Sequence, residues 1–156
     1  MTESRRIIYT AKAHVTGGRA EGHGRASDGA LEVDLRTPVE MGGAGGGTNP
    51  EQLFAIGYAA CFESAMGVAA RRRRQEIADV AIDSKVMLLP TADRGFKLAV
   101  ALAVTLPSVP DPREAVELVR AAHRVCPYSN ATRGNVDVSL TANGVAVDDV
   151  SKPLAA

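Results

Sequence analysis

The stretch Thr48-Asn49-Pro50-Glu51-Gln52-Leu53-Phe54-Ala55-Ile56-Gly57-Tyr58-Ala59-Ala60-Cys61-Phe62 decides how this chain folds. Its first residues are a helix start. Asn49 suits the N-cap, Pro50 the first helical position, where no amide hydrogen is needed, and Gln52 the position that closes a capping box. The helix should run to about Arg73, and from Leu53 to Ala69 it is apolar on nearly every side. A helix apolar all round is buried on all sides. In a small domain, one way to bury it is against a partner subunit. The Arg71-Arg72-Arg73-Arg74 run fits a solvated helix end, where cations complement the helix dipole. Length alone would let this stretch span a membrane, but Glu63, Ser64 and the many Ala and Gly argue against it.

N-terminal to the helix, strand patterns cover residues 7–15, 19–27 and 31–36. Gly17-Gly18 breaks the first pair and Ser27-Asp28-Gly29 turns the second. Leu31, Val33 and Leu35 alternate with charged residues, as in a strand with one buried face. Pro38 ends this unit. The glycine-rich residues 42–47 lack the Gly-Lys-Ser/Thr of a phosphate loop and read as a flexible connection or a lid. C-terminal to the helix, residues 78–89 and 95–106 form a strand pair turning near Thr91 to Gly95. The stretch from Lys97 to Val104 reads as a central strand packed on a helix. Asp111 caps a second helix with Pro112 in its first turn. Its apolar face is Val116, Leu118, Val119, Ala122 and Val125, and Pro127 stops it just after Cys126. Residues 135–142 are a last strand, and the tail from Asn143 onward is expected to be loose. The order βββ-α-ββ-α-β predicts one α+β domain over residues 1–156, with a core at about 7–142 and mainly antiparallel sheets around two helices.

Eighteen basic residues balance eighteen acidic ones, so no global field favours nucleic acid or an anionic membrane. The polar start, residues 1–6, is no signal peptide, and a soluble cytoplasmic protein is expected. In that setting Asn130-Ala131-Thr132 carries no meaning as a glycosylation acceptor. Two cysteines in such a chain are not a structural framework. They form no CxxC pair, and His14, His23 and His123 do not complete a metal site or require a cofactor.

Cys61 lies in the interior of the first helix and Cys126 at the end of the second. Each alone reads as a small core hydrophobe. Together they raise the prospect of a redox pair, although spacing does not show that they meet. A reactive redox sulfur works as a thiolate, and a free thiol of pKa about 8.5 is only about 3% ionised at pH 7. A guanidinium that lowered such a pKa by about two units would supply roughly 2.7 kcal/mol, and in a dry site it needs an acid to hold it. Arg19 and Glu51 stand at sharp structural boundaries, yet taken alone they read as a solvated hairpin charge and a helix-dipole partner.

Ordered blocks change that weighing. Tyr9-Thr10-Ala11, Thr16-Gly17-Gly18-Arg19, Thr48-Asn49-Pro50-Glu51-Gln52-Leu53-Phe54, Gly57-Tyr58-Ala59-Ala60-Cys61-Phe62 and Val125-Cys126-Pro127-Tyr128-Ser129-Asn130-Ala131-Thr132-Arg133-Gly134-Asn135 resemble the organic hydroperoxide resistance (Ohr) branch of the Ohr/OsmC family. The resemblance covers about residues 7–142, and the last block is the most specific. It implies an OsmC-like fold, an intertwined homodimer, an organic hydroperoxide as substrate and a dithiol reductant, typically lipoyl groups. It also implies that Cys61 is the peroxidatic cysteine, Cys126 the resolving one, and Arg19 with Glu51 a charged pair beside the reactive sulfur. The apolar neighbours Leu53, Phe54, Ile56 and Phe62 favour an alkyl or lipid hydroperoxide over hydrogen peroxide. Glu51 and Cys61 are ten residues apart, about 15 Å along a straight helix. Either the helix breaks near Gly57 or the acid comes from the other chain; the second is expected. Two other readings remain at this level: a thiol switch without turnover, and a cysteine hydrolase or transferase, for which no histidine base is evident.

Overall fold

The computed structural model describes residues 6–148 and 150. The chain divides into two compact units, Met1–Pro50 and Glu51–Ala156.

The first unit is a three-stranded antiparallel sheet in the order β1-β2-β3, with β1 Ala13–Thr16, β2 Glu21–Ala26 and β3 Glu32–Arg36. The strand expected over residues 7–15 is short. Ile7, Ile8 and Tyr9 pair with no strand and are exposed, because their β-propensity finds no neighbouring ladder. The Gly17-Gly18 turn takes positive φ at both residues, which joins β1 to β2. Gly22 has no alternative: a Cβ there would fall 1.9 Å from the Gly18 carbonyl oxygen. The predicted turn at Ser27-Asp28-Gly29 forms, with Ala30 N–H donating to Asp28 Oδ1 at 2.9 Å. Of the alternating residues in β3, only Leu35 is buried; Leu31, just before the strand, is exposed.

The second unit holds the core. Helix α1, Pro50–Arg72, begins where the sequence places it. It is long and apolar enough to cross a membrane by length and composition, yet it serves here as a core helix. Tyr58, Phe62, Ala65, Met66, Ala69 and Ala70 form one buried face. The expectation of burial on all sides does not hold within the chain: Ala60 and Glu63 are exposed, and Ile56 is 70% exposed. Strands β4 Ala81–Pro90 and β5 Phe96–Thr105 pair antiparallel in full register, from Ala81↔Thr105 to Pro90↔Phe96. Helix α2, Pro112–Val125, then crosses over to β6, Asp137–Ala142, which pairs parallel with β5. Val100, Leu102 and Val104 of β5 and Val138, Leu140 and Ala142 of β6 are buried on the face shared with the helices, as period-2 alternation requires.

Two expectations fail C-terminally. Pro127 does not simply end the helical region; it opens a further helix, α3, Pro127–Thr132. A proline suits the first helical position as well as it breaks an interior. The segment after Ala142 is also not loose. Asn143 and Gly144, both at positive φ, make a two-residue turn into β7, Val145–Val147, antiparallel to β6. Val147 and Val150 are buried. Residues 151–156 of the expected tail lie outside the described residues. The fold class is α+β with mainly antiparallel strands, as the sequence predicts, with three α-helices among the described residues in place of two.

Candidate active site

The backbone around Cys126 explains how a helix end reaches the middle of another helix. Proline at 127 disfavours helical geometry at the residue before it. Cys126 accordingly adopts φ −62° and ψ 122°, and it ends α2 and caps α3 at once. Its N–H donates to the Ala122 carbonyl at 2.9 Å, and its own carbonyl accepts from Asn130 N–H at 3.0 Å. The joint is therefore hydrogen-bonded on both sides, and the thiol projects from a fixed corner.

That corner faces α1. The Cys126 thiol donates toward Cys61 Sγ across 3.5 Å, between residues 65 apart in sequence. Both cysteines are free thiols; Cys126 is buried and Cys61 half-buried. A disulfide requires about 2.05 Å between sulfurs, so the pair needs only a small approach to close. The arrangement pairs one partly exposed sulfur with a second that is kept from solvent. Burial pushes the Cys126 thiol above its ordinary value, and hydrogen bonds from the backbone N–H and hydroxyl of Ser129 pull the other way.

Sequence reading missed Tyr58, Tyr128, Ser129 and Thr132, which join Phe54 in a polar and aromatic cluster on α1 and α3. Tyr58 Oη lies 3.0 Å from Ser129 Oγ and 3.1 Å from Thr132 Oγ1. Phe54, Tyr58 and Tyr128 form an aromatic cluster with ring centroids 5.7 to 5.9 Å apart. The usable signals were the i,i+4 spacing of Phe54 and Tyr58 and the i,i+3 spacing of Ser129 and Thr132. The second spacing has meaning only once Pro127 is read as a helix start. Of the apolar neighbours expected around Cys61, Phe54 belongs to this aromatic cluster, Phe62 is fully buried in the core and Ile56 is exposed.

The remaining two expected residues are Glu51 and Arg19. Glu51 lies in the first turn of α1 and is half-buried. The helix runs unbroken through Gly57, which leaves Glu51 about 15 Å along the axis from Cys61 of the same chain. Arg19 belongs to the first unit, directly after the Gly17-Gly18 turn, with Nη1 4.0 Å from Met41 Sδ.

Comparison with known proteins bears on this arrangement. A family model described as OsmC-like protein matches residues 42–141. An organic hydroperoxide resistance protein of Xanthomonas axonopodis pv. citri is 52% identical over 143 residues, which cover 90% of this chain and 99% of that protein. The organic hydroperoxide resistance protein OhrB of Bacillus subtilis is 48% identical over 134 residues, covering 85% and 96%. Among solved structures, an organic hydroperoxide resistance protein from Legionella pneumophila matches with a TM-score of 0.83 at 51% identity, covering 87% of this chain and 98% of that one. The crystal structure of B. subtilis OhrB matches with a TM-score of 0.78, covering 86% and 98%.

Proposed function

Because the chain belongs to the OsmC-like family, in its organic hydroperoxide resistance branch, we propose that it is a thiol peroxidase that detoxifies organic hydroperoxides through Cys61 and Cys126. The Cys61 thiolate attacks the O–O bond of an alkyl or lipid hydroperoxide, takes one oxygen as a sulfenic acid and releases the alcohol. Cys126 then attacks the Cys61 sulfur and water leaves. The resulting disulfide protects Cys61 from irreversible oxidation, and an external dithiol, such as a dihydrolipoyl group, reopens it by exchange. A cytoplasmic location suits a cycle that must be reduced at every turn.

One observation carries this reading: the 3.5 Å approach of a half-buried sulfur and a buried one. A structural pair of core cysteines would not need one member within reach of solvent. The thiol-switch reading uses the same pair but does not explain the family match.

Arg19 supplies positive charge to the reactive sulfur, and Glu51 holds its guanidinium in place. Support comes from the sequence blocks that carry them. The unbroken helix α1 removes one of the two routes by which Glu51 could serve Cys61. The remaining route is a homodimer in which each site takes its acid from the partner chain.

The test is consumption of an alkyl hydroperoxide with a dithiol reductant. Cys61→Ser should abolish turnover. Cys126→Ser should permit one turnover and then accumulate over-oxidised Cys61. Undiminished turnover by Cys61→Ser would end the proposal. Equal efficiency with hydrogen peroxide would remove the preference for organic substrates.

A further inference from the structure

The methionines of the described residues stand in different surroundings. Met66 is fully buried in the core, whereas Met41 and Met87 are 49% and 43% exposed. Met87 lies on β4. Met41 ends a short 3₁₀ turn, Val39–Met41, that its own backbone pins. Met41 N–H donates to the Pro38 carbonyl at 3.0 Å, and the Gly42 and Gly43 N–H groups donate to the Val39 and Pro38 carbonyls at 2.9 and 3.0 Å. Gly42 takes positive φ, and a Cβ at Gly43 would fall 2.1 Å from the Thr37 carbonyl oxygen. The turn therefore has one backbone course. It brings the Met41 sulfur to Arg19 Nη1 across 4.0 Å, within the first unit.

A thioether sulfur is a weak acceptor, so this contact by itself holds the guanidinium loosely. Oxidation to the sulfoxide makes the same side chain polar. Rotation of its exposed end lets the added oxygen face Arg19, inside the ordinary N–H···O length that the bare sulfur does not reach. The guanidinium is a planar, rigid fork, so drawing Nη1 to a new acceptor turns all of its donors together. Arg19 interacts elsewhere as well, and those contacts turn with it.

We propose that Met41 is an oxidation site: a hydroperoxide converts its thioether to a sulfoxide, and the sulfoxide takes hold of the Arg19 guanidinium. The thioether sulfur attacks the terminal oxygen of the hydroperoxide. A sulfur–oxygen bond forms and the O–O bond breaks. The hydrogen of that terminal oxygen passes to the leaving alkoxide, which departs as the alcohol. Sulfur is oxidised and the peroxide reduced, so the step balances without a further reagent. Its consequence rests on the peroxidase reading, in which Arg19 supplies charge to the reactive sulfur. A guanidinium turned toward Met41 supplies less. Turnover then falls when hydroperoxide outruns the reductant, and it returns when a methionine sulfoxide reductase removes the oxygen.

The test treats the full chain, its disulfide closed so that Cys61 is shielded, with tert-butyl hydroperoxide and then restores the thiols with a dithiol. Peptide mass mapping should find the sulfoxide at Met41 and spare Met66. Guanidinium NMR should show the Arg19 signals displaced in treated wild type and unmoved in treated Met41→Leu. Treated wild type should turn over about tenfold more slowly than untreated, recover with methionine sulfoxide reductases, and differ from Met41→Leu, which keeps its rate. An unoxidised Met41, Arg19 signals that do not move, or equal loss of turnover in wild type and Met41→Leu overturns the proposal. If untreated wild type consumes no hydroperoxide while Met41 oxidises and the Arg19 signals move, the peroxidase reading falls instead and the oxidation site stands.

Discussion

His123 shows what a buried imidazole does with one partner where it could use two. It stands three residues before Cys126 on α2. Its Nε2–H donates to the Val150 carbonyl at 2.7 Å, while Nδ1 is buried without a partner. Burial pushes its pKa below the ordinary 6.5, and Arg133 and Arg124 add repulsion against a second proton. An unfolded chain therefore takes up a proton near pH 6.5 that the folded chain refuses. Stability is fully present above that pH and falls as pH drops through 6.5 toward the folded value, with a ceiling of about 1.4 kcal/mol per pH unit for one proton. Exposed His23, held between Asp34 and Glu32, has its pKa raised, and its contribution fades instead as pH rises. The decisive measurement is thus a difference: denaturant unfolding at pH 7 and pH 5 should show a smaller acid loss in His123→Gln than in wild type. An equal loss would mean that His123 does not govern this range. At this scale the sequence was partly legible. Cys61 and Cys126 could be named from their places on helices, but their meeting depends on a corner at Cys126 that no spacing rule encodes. Ser129 and Thr132 stayed hidden because Pro127 was read only as a stop.

Elements were more legible than residues, for a physical reason. Periodicity and caps are local, and helix α2 begins as predicted, with Asp111 accepting from Glu114 N–H at 2.9 Å and Pro112 in the first turn. The missed hairpin was also local: Asn143-Gly144 between alternating residues is a two-residue turn signal. Asn143 does more than turn the chain. Its side chain accepts from Leu106 N–H at 2.7 Å and donates to the Leu106 and Val109 carbonyls at 3.2 and 3.0 Å. One residue thereby ties the β6–β7 turn to the segment that leads from β5 toward α2. Asn143→Ala should cost about 2–3 kcal/mol, from the left-handed backbone and from the partners left unpaired. Asn143→Asp, which keeps the acceptor and tolerates the backbone, should cost less. Chemical denaturation would check both. A loss below about 0.5 kcal/mol for Asn143→Ala would show that the turn forms without the side-chain bonds.

At the scale of the whole molecule, the proposed site depends on which chain its acid would come from. Glu51 and Cys61 share an unbroken helix and cannot meet within one chain, while the same helix turns Ile56 and Ala60 outward. A shared site makes a quantitative prediction. Glu51→Ala dimers lack the acid at both sites, and Cys61→Ser dimers lack the sulfur at both. After subunit exchange between equal amounts, about half the dimers are mixed. If the acid crosses the interface, each mixed dimer holds one intact site, pairing the sulfur of one chain with the acid of the other. The mixture should then recover about a quarter of wild-type hydroperoxide turnover. If both residues serve their own chain, every site in the mixed dimer carries one defect, and exchange recovers nothing. Size-exclusion chromatography of the mixture, followed by the peroxidase assay, separates the two results. A chain that runs as a monomer under these conditions would remove the shared site altogether and leave Glu51 without a route to Cys61.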